Sequence, residues 1–211
     1  MTRENTMSNT DPTPTNSTVP ATESNSDEQI ALFIYGLPGA GKSTVLDVAD
    51  EYDIPNITMG EVVRKRAAET LGDDFTSSEL GQWASNQRAE HGSTIMAEYT
   101  LEEITGTDAP VIIIEGTRSP DEIRVFAAQF RTLTLRVDAP YADRLHRLQD
   151  RGRDGEDTFT PEDLHDRDSR EMVEWGLGDL YATDDPDYVI ENTGTLTQYR
   201  EIITDILDSL S

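Results

Sequence analysis

The clearest chemistry in the chain lies in Gly36-Leu-Pro-Gly-Ala-Gly-Lys42-Ser43-Thr44, which fits the pattern G-x-x-x-x-G-K-[ST]. A polyphosphate needs several backbone N–H groups aimed at one point. Gly36, Gly39 and Gly41 let the chain curl around that point without Cβ clashes. A helix beginning near Lys42 adds its positive end. The Lys42 ammonium is expected to reach the β- and γ-phosphates of a nucleotide and the Ser43 hydroxyl to ligate Mg2+. Leu37, Pro38, Ala40 and Thr44 complete the loop wall.

The other candidates are cations, which are scarce here. The 211 residues hold 42 Asp plus Glu against 17 Lys plus Arg, a net charge of −25, and only Lys42 and Lys65 are lysines. Arg144, Arg147 and Arg151 recur three and four apart, as one helical stripe beside a Gly-rich stretch that carries Arg153. Arg167 and Arg170 follow as an i, i+3 pair. Two arginine-bearing helices joined by a mobile loop, Arg151 to Asp157, make a lid, expected over about residues 150–165. Phosphoryl transfer needs cations that close over the γ-phosphate and exclude water. The competing arrangement is surface ion pairing with Asp143, Asp150, Asp166 and Glu171.

Glu115 ends the most β-branched run and could hold Mg2+ through water or orient an acceptor. Arg64 and Arg118 could grip an acidic acceptor or act as salt bridges in the fold. Glu61 could orient an acceptor hydroxyl or favour a helix N-terminus.

Composition excludes several classes. Without cysteine there is no disulfide framework, thiolate zinc site or Cys nucleophile, and His91, His146 and His165 lack ligand spacing. The acid is spread along the whole chain. It fits either an acidic binding surface or life in very high salt. At molar salt the screening length falls to about 3 Å, whereas in dilute buffer self-repulsion destabilises the compact state. Few lysines with arginine retained favour a halophile's cytoplasm, with no affinity for nucleic acid or anionic membranes. The longest apolar run, six residues, is far short of the roughly 20 a membrane helix needs. The N-terminus has no hydrophobic signal core.

Hydrophobic patterning supplies the elements that must position these groups. Residues 1–28 are Thr, Ser, Asn and Pro with little apolar content and are expected to be a disordered tail, with Met7 a second candidate start. Residues 29–211 then form one domain. Strands are expected at Ile30–Tyr35, Asp53–Thr58, Val111–Ile114, Thr132–Val137 and Asp187–Ile190. Mostly helical sequence over about 59–107 separates the second strand from the third and is expected to cover a substrate. Strand–helix alternation gives an α/β fold of three layers, a five-stranded parallel sheet with helices on both faces. Ligands in such sheets sit at the carboxyl ends of strands, where Lys42, Gly60, Glu115 and Asp138 fall.

Residues 30–210 resemble an archaeal group of P-loop proteins allied to adenylate kinase and dephospho-CoA kinase. The resemblance is carried by the Gly36–Ser43 loop, Glu115-Gly-Thr-Arg-Ser-Pro120, Arg151-Gly-Arg153, Arg167-Asp-Ser-Arg-Glu171, Trp175-Gly-Leu-Gly178 and Asp187-Tyr-Val-Ile-Glu-Asn-Thr-Gly194. It implies a P-loop, nucleotide-kinase-like fold with a short lid and sheet order 2-3-1-4-5. Gly60-Glu-Val-Val-Arg64 is similar to the segment that holds the acceptor phosphate in adenylate kinases. Glu115-Gly-Thr-Arg118 is similar to their Asp-Gly-x-x-Arg, with Glu for Asp and one residue fewer. Arg147 and Arg151 match lid arginines that reach ATP phosphates, and Arg167 and Arg170 fall near the transition-state pair. Asn192 to Gly194 resembles the turn along adenine, and Glu61 stands near the acid that dephospho-CoA kinases carry after their second strand. The implied activity is ATP- and Mg2+-dependent transfer to a small nucleotide-like acceptor, either dephospho-CoA or a nucleoside monophosphate. The alternative is a regulatory ATPase, GTPase or nucleotide switch acting on a protein partner. ATP against GTP, and monomer against dimer, stay open at this point.

Overall fold

The computed structural model describes residues 16–18, 28–183 and 185–210. Its centre is β2 (Ile30–Tyr35), buried along its whole length. β4 (Val111–Glu115) and β5 (Arg131–Asp138) flank it in parallel, with β3 (Asn56–Thr58) outside β4 and β6 (Tyr188–Glu191) outside β5. These five parallel strands take the order expected from the resemblance. A sixth, β1 (Asn16–Thr18), runs antiparallel along the free edge of β6. It lies within the segment expected to be a disordered tail and corrects that expectation for three residues. A strand edge offers unpaired N–H and C=O groups, so a polar segment can join it without burying apolar surface. Residues 1–15 and 19–27 of that segment lie outside the described residues.

The period of two along β2 sorts the core. Ile30, Leu32 and Ile34 join Val45 and Val48 of α1 (Lys42–Glu51) and Ile203 and Leu207 of α9 (Leu196–Asp208) on one face. Ala31 and Phe33 face the other layer. There Met59, Trp83, Met96 and Phe126 come from α2 (Met59–Leu71), α3 (Ser77–His91), α4 (Ile95–Ile104) and α5 (Pro120–Phe126). Phe33 meets Phe126 edge to face at 5.0 Å. Each fully buried side chain here is worth roughly 1.5–3 kcal/mol, so the loop after β2 is mounted on the most buried element of the chain.

Two segments depart from expectation. The stretch after α6 (Tyr141–Arg151), expected to be a mobile loop, is a 3-10 helix over Arg153–Thr158. Beyond α7 (Pro161–Ser169), which opens on the expected Thr160/Asp163 capping box with Pro161 in its first turn, the helix widens into a π-helical turn, Arg170–Glu174. After it comes α8 (Leu177–Thr183), which sequence patterning did not reveal and whose Leu177 and Leu180 pack on Tyr35.

Candidate active site

The loop from Gly36 to Gly41 is held from outside by its own carbonyls, each of which accepts a hydrogen bond. Gly36 O accepts from Lys42 Nζ at 2.8 Å and Leu37 O from Ala40 N at 3.1 Å. Pro38 O accepts from Arg144 at 3.1 Å, and Gly39 O and Ala40 O from Arg147 at 3.4 and 3.2 Å. Ala40 O also accepts from Asn192 Nδ2 at 2.8 Å, and Gly41 O accepts from the Tyr199 hydroxyl at 2.9 Å. The Pro38 to Gly41 carbonyls thus turn outward to side chains beyond the loop, and peptide planarity points the N–H groups of Gly39, Gly41 and Lys42 the other way. Gly41 is the N-cap of α1 and supplies no capping side chain, so N–H groups of the first turn stay available to an anion. All three loop glycines are sterically required, Gly39 (φ +79°) because a Cβ there would stand 2.7 Å from Arg144 O. A Cβ on Gly36 would stand 2.2 Å from Val137 O, and one on Gly41 (φ +114°) 2.5 Å from Asn192 Nδ2. Asn192 is buried, and Gly194 sits half-buried in the turn that follows.

From this loop Lys42 points toward Glu115, with Nζ 3.9 Å from Oε1. Burial pushes the Lys42 ammonium below its ordinary value. The charges of Glu115 and Glu171 act the other way, and those of Arg151 and Arg167 reinforce the lowering. Ser43 and Thr44 occupy the first turn of α1. No cluster of three or more Asp, Glu or His suited to a metal occurs among the described residues. Mg2+ needs only one or two protein oxygens, such as a hydroxyl and a carboxylate, and completes its shell with water and substrate phosphates. Ser43 and Glu115 are the residues that would hold it.

Beyond Lys42 opens a cavity of about 560 Å3. Its apolar lining includes Met59, Val63, Leu80, Ala84, Met96 and Leu177, and its charged lining Arg64, Arg88, Arg118, Glu115, Glu122 and Glu171. Arg64 and Glu115, expected at an acceptor site, both face it. Arg118 does too, its guanidinium 4.6 Å from the Trp175 ring centroid and 3.9 Å from Glu171. Glu122 accepts from Arg118 N at 2.7 Å and from the Thr117 hydroxyl at 3.3 Å, which fixes the turn after β4. Glu61 is not part of the lining. Gly60, Val63 and Arg64 share the cavity face of α2, and Glu61, one residue past Gly60, is turned to solvent by the helical period. Arg88 was not singled out by sequence. Its signal is the stripe Ser77, Leu80/Gly81, Ala84, Arg88, spaced three or four apart along α3. Trp175 entered only through the resemblance, and Glu171 through it and as a surface ion-pair partner for the arginines; the structure places both on the cavity.

The expected lid arginines do not act as one set. Arg144 is only 4% exposed and pairs bidentately with Asp168 at 2.9 and 2.6 Å, so it staples α6 to α7 and to the loop. Arg147 donates to Asn192 O at 3.0 Å as well as to Gly39 O and Ala40 O, which makes it a brace for the loop and the β6–α9 turn. Arg151 and Arg167 converge on Glu156, which is 3% exposed. Arg151 Nε lies 2.8 Å from Oε2 with a second bond from its Nη2 to Oε1, and Arg167 Nη1 is 2.5 Å from Oε1. Burial pushes the Glu156 carboxyl up, but the two guanidiniums outweigh it and hold the group below the usual glutamate value. Arg153 is exposed. Arg170 is exposed too and lines a separate groove with Phe159, Val173 and Glu174. It ends α7 in helical geometry, its N–H bonded to Asp166 O and Arg167 O, and opens the π turn, where Trp175 N bonds Arg170 O at 3.0 Å.

Similarity to known proteins runs over most of the chain. A family model described as an AAA domain matches residues 35–164. A UPF0200 protein of Hyperthermus butylicus is 33% identical over 183 residues, which span 87% of this chain and 96% of that protein. One from Methanoculleus marisnigri is 34% identical over 177 residues, 83% and 94% of the two chains. Among solved structures, shikimate kinase from Bacteroides thetaiotaomicron superposes with a TM-score of 0.54 at 17% identity, covering 86% of this chain and 98% of that one. This last likeness is one of fold, that of the P-loop kinases.

Proposed function

The chain belongs to the UPF0200 family, and from its site we propose that it is a kinase, transferring the γ-phosphoryl group of ATP to a small anionic acceptor. One observation carries the reading. Lys42 stands where the phosphate loop meets a cavity of about 560 Å3 that presents Arg64, Arg88 and Arg118. A nucleotide switch needs the loop alone, whereas a cavity that shares Lys42 with it and sets three arginines beside three carboxylates supports a second, anion-bearing substrate. A nucleotide-like acceptor, a nucleoside monophosphate or dephospho-CoA, is compatible with the mixed apolar and cationic walls.

In this reading the inward N–H groups of the loop and of α1 bind the β- and γ-phosphates. Lys42 leaves Gly36 O to follow the charge as it moves onto the bridging oxygen. Mg2+, when bound at Ser43, neutralises phosphate charge. Arg151 and Arg167 exchange Glu156 for the nucleotide's phosphates and shut out water, the segment from Arg151 to α7 serving as the lid. Arg170, exposed here on a separate groove, would join them only if the lid moves as it closes. The turn Asn192–Gly194, against the loop, would lie along the base. The net charge of −25 supports a salt-rich cytoplasm as the working environment. No helix among the described residues is long and apolar enough to cross a membrane.

The test is product formation from ATP and Mg2+ in molar KCl, with AMP, CMP, UMP, shikimate and dephospho-CoA offered separately, wild type beside Lys42→Ala. Lys42-dependent phosphorylation of an acceptor is the expected result. ATP hydrolysis at a rate indifferent to every acceptor would replace this reading with the switch.

A further inference from the structure

Resting on the phosphoryl-transfer reading, the charges around the cavity narrow what atom attacks. Three carboxylates line it, and two have clear employment. Glu122 is bonded to Arg118 N and the Thr117 hydroxyl, and Glu115 stands beside Lys42, 3.9 Å from its Nζ. Glu171 is different. It comes from the π-helical turn, its side chain is 15% exposed, and its nearest ion contact is Arg118 at 3.9 Å, too long for a hydrogen bond. Among the described residues no donor is bonded to its carboxylate. It lines the same cavity as Lys42, whose ammonium its charge favours. π turns recur where a helix must re-aim a functional side chain.

The cations show a matching asymmetry. Arg64 and Arg88 line the cavity, and neither makes an ion pair among the described residues, in a chain where acids outnumber cations 42 to 17. They stand on α2 and α3, with Val63, Leu80 and Ala84 beside them. An attacking phosphate would bring negative charge against Glu171, and like charges repel strongly at such range. A hydroxyl would instead donate its proton to the carboxylate, satisfying an acceptor that is otherwise half-buried and unbonded.

We propose that the acceptor is an alcohol carrying a separate anionic group. Glu171 takes the proton of its hydroxyl, and Arg64 and Arg88 hold the anion. The hydroxyl oxygen forms a bond to the γ-phosphorus while the bond from that phosphorus to the β,γ-bridging oxygen breaks. The electron pair leaves with the nucleoside diphosphate, and the proton passes to Glu171 and then to solvent. The product is a phosphate monoester rather than a phosphoanhydride.

The experiment offers γ-labelled ATP and Mg2+ in molar KCl to two pools. One holds anion-bearing alcohols, shikimate and dephospho-CoA, and the other nucleoside monophosphates, AMP, CMP and UMP. Wild type, Glu171→Gln, Glu171→Asp and Arg88→Gln are compared, with melting curves to show that each folds. Label is expected in a monoester from the first pool. Glu171→Gln is expected to lower kcat by about 10²–10⁴-fold at an unchanged acceptor KM, with partial recovery in Glu171→Asp. Arg88→Gln is expected to raise the acceptor KM and leave kcat near wild type. Label in a phosphoanhydride from the second pool, or a folded Glu171→Gln with wild-type kcat on an alcohol, overturns the proposal and leaves the kinase reading standing. Lys42-dependent hydrolysis with no transfer to either pool removes the kinase reading and this proposal with it.

Discussion

Replacing Glu156 by Gln tests whether one buried carboxylate holds the lid arginines in the nucleotide-free protein. The side chain is 3% exposed and accepts from Arg151 through two nitrogens and from Arg167 through one. Removing one partner of a fully buried ion pair costs about 3–5 kcal/mol. Both guanidiniums here reach water, and the amide oxygen of Gln still accepts, so the expected loss is roughly 1.5–3 kcal/mol. For a domain of this size each kcal/mol moves Tm by about 2–4 °C, giving a fall of about 3–12 °C. Differential scanning calorimetry at pH 7 in molar KCl would measure it. The acid limb gives a second check. The Glu156 carboxyl is held below its ordinary value, so its stabilisation is complete above about pH 4.3 and drains away as pH falls through the lower folded-state value. The gap between wild type and variant should therefore be flat at neutral pH and close in acid. Saturating ATP and Mg2+ should narrow it as well, because phosphates then occupy both arginines. A variant melting within about 1 °C of wild type at pH 7, or a gap that widens in acid, would refute the reasoning.

Two further substitutions probe the loop. Gly41→Ala places a Cβ 2.5 Å from Asn192 Nδ2 at φ +114°, so nucleotide affinity measured by calorimetric titration should fall at least about tenfold, with a lower Tm. Arg144→Met keeps the apolar stem but strands Asp168 and Pro38 O. A loss of about 3–5 kcal/mol in urea unfolding is expected, and a loss under about 1 kcal/mol would show that the pair is no staple.

The centre of the sheet was legible because β2 is an unbroken apolar run and β4 a β-branched one, both buried, and Gly36–Thr44 announced itself through a pattern that few other functions require. The partners of the lid arginines were not legible, because spacing reports a helix face but not what lies opposite it. Arg144, Arg147 and Arg151 do share α6, yet they meet Asp168, three backbone carbonyls and Glu156 respectively, partners that only the tertiary fold supplies. Glu156 looked like one more acid in a polar loop, and no local signal marks it as buried. The π turn is equally silent, because its sequence, Arg-Glu-Met-Val-Glu, suits an ordinary helix. Arg88 was within reach, since its stripe on α3 includes a cation that nothing nearby in sequence would neutralise.

The hydrogen bonds that shape the phosphate loop have a consequence for biosynthesis. The motif emerges early from the ribosome, but the side chains that hold its carbonyls arrive late. Arg144 is 106 residues beyond Pro38, Asn192 is 152 beyond Ala40 and Tyr199 is 158 beyond Gly41. A nascent chain that already displays Gly36–Thr44 therefore still lacks the loop's scaffold, and nucleotide cannot template the folding of the amino-terminal half. A chain that ends before Asn192 is therefore expected to bind nucleotide more weakly than one that reaches α9, because the Ala40 and Gly41 carbonyls then lose Asn192 and Tyr199.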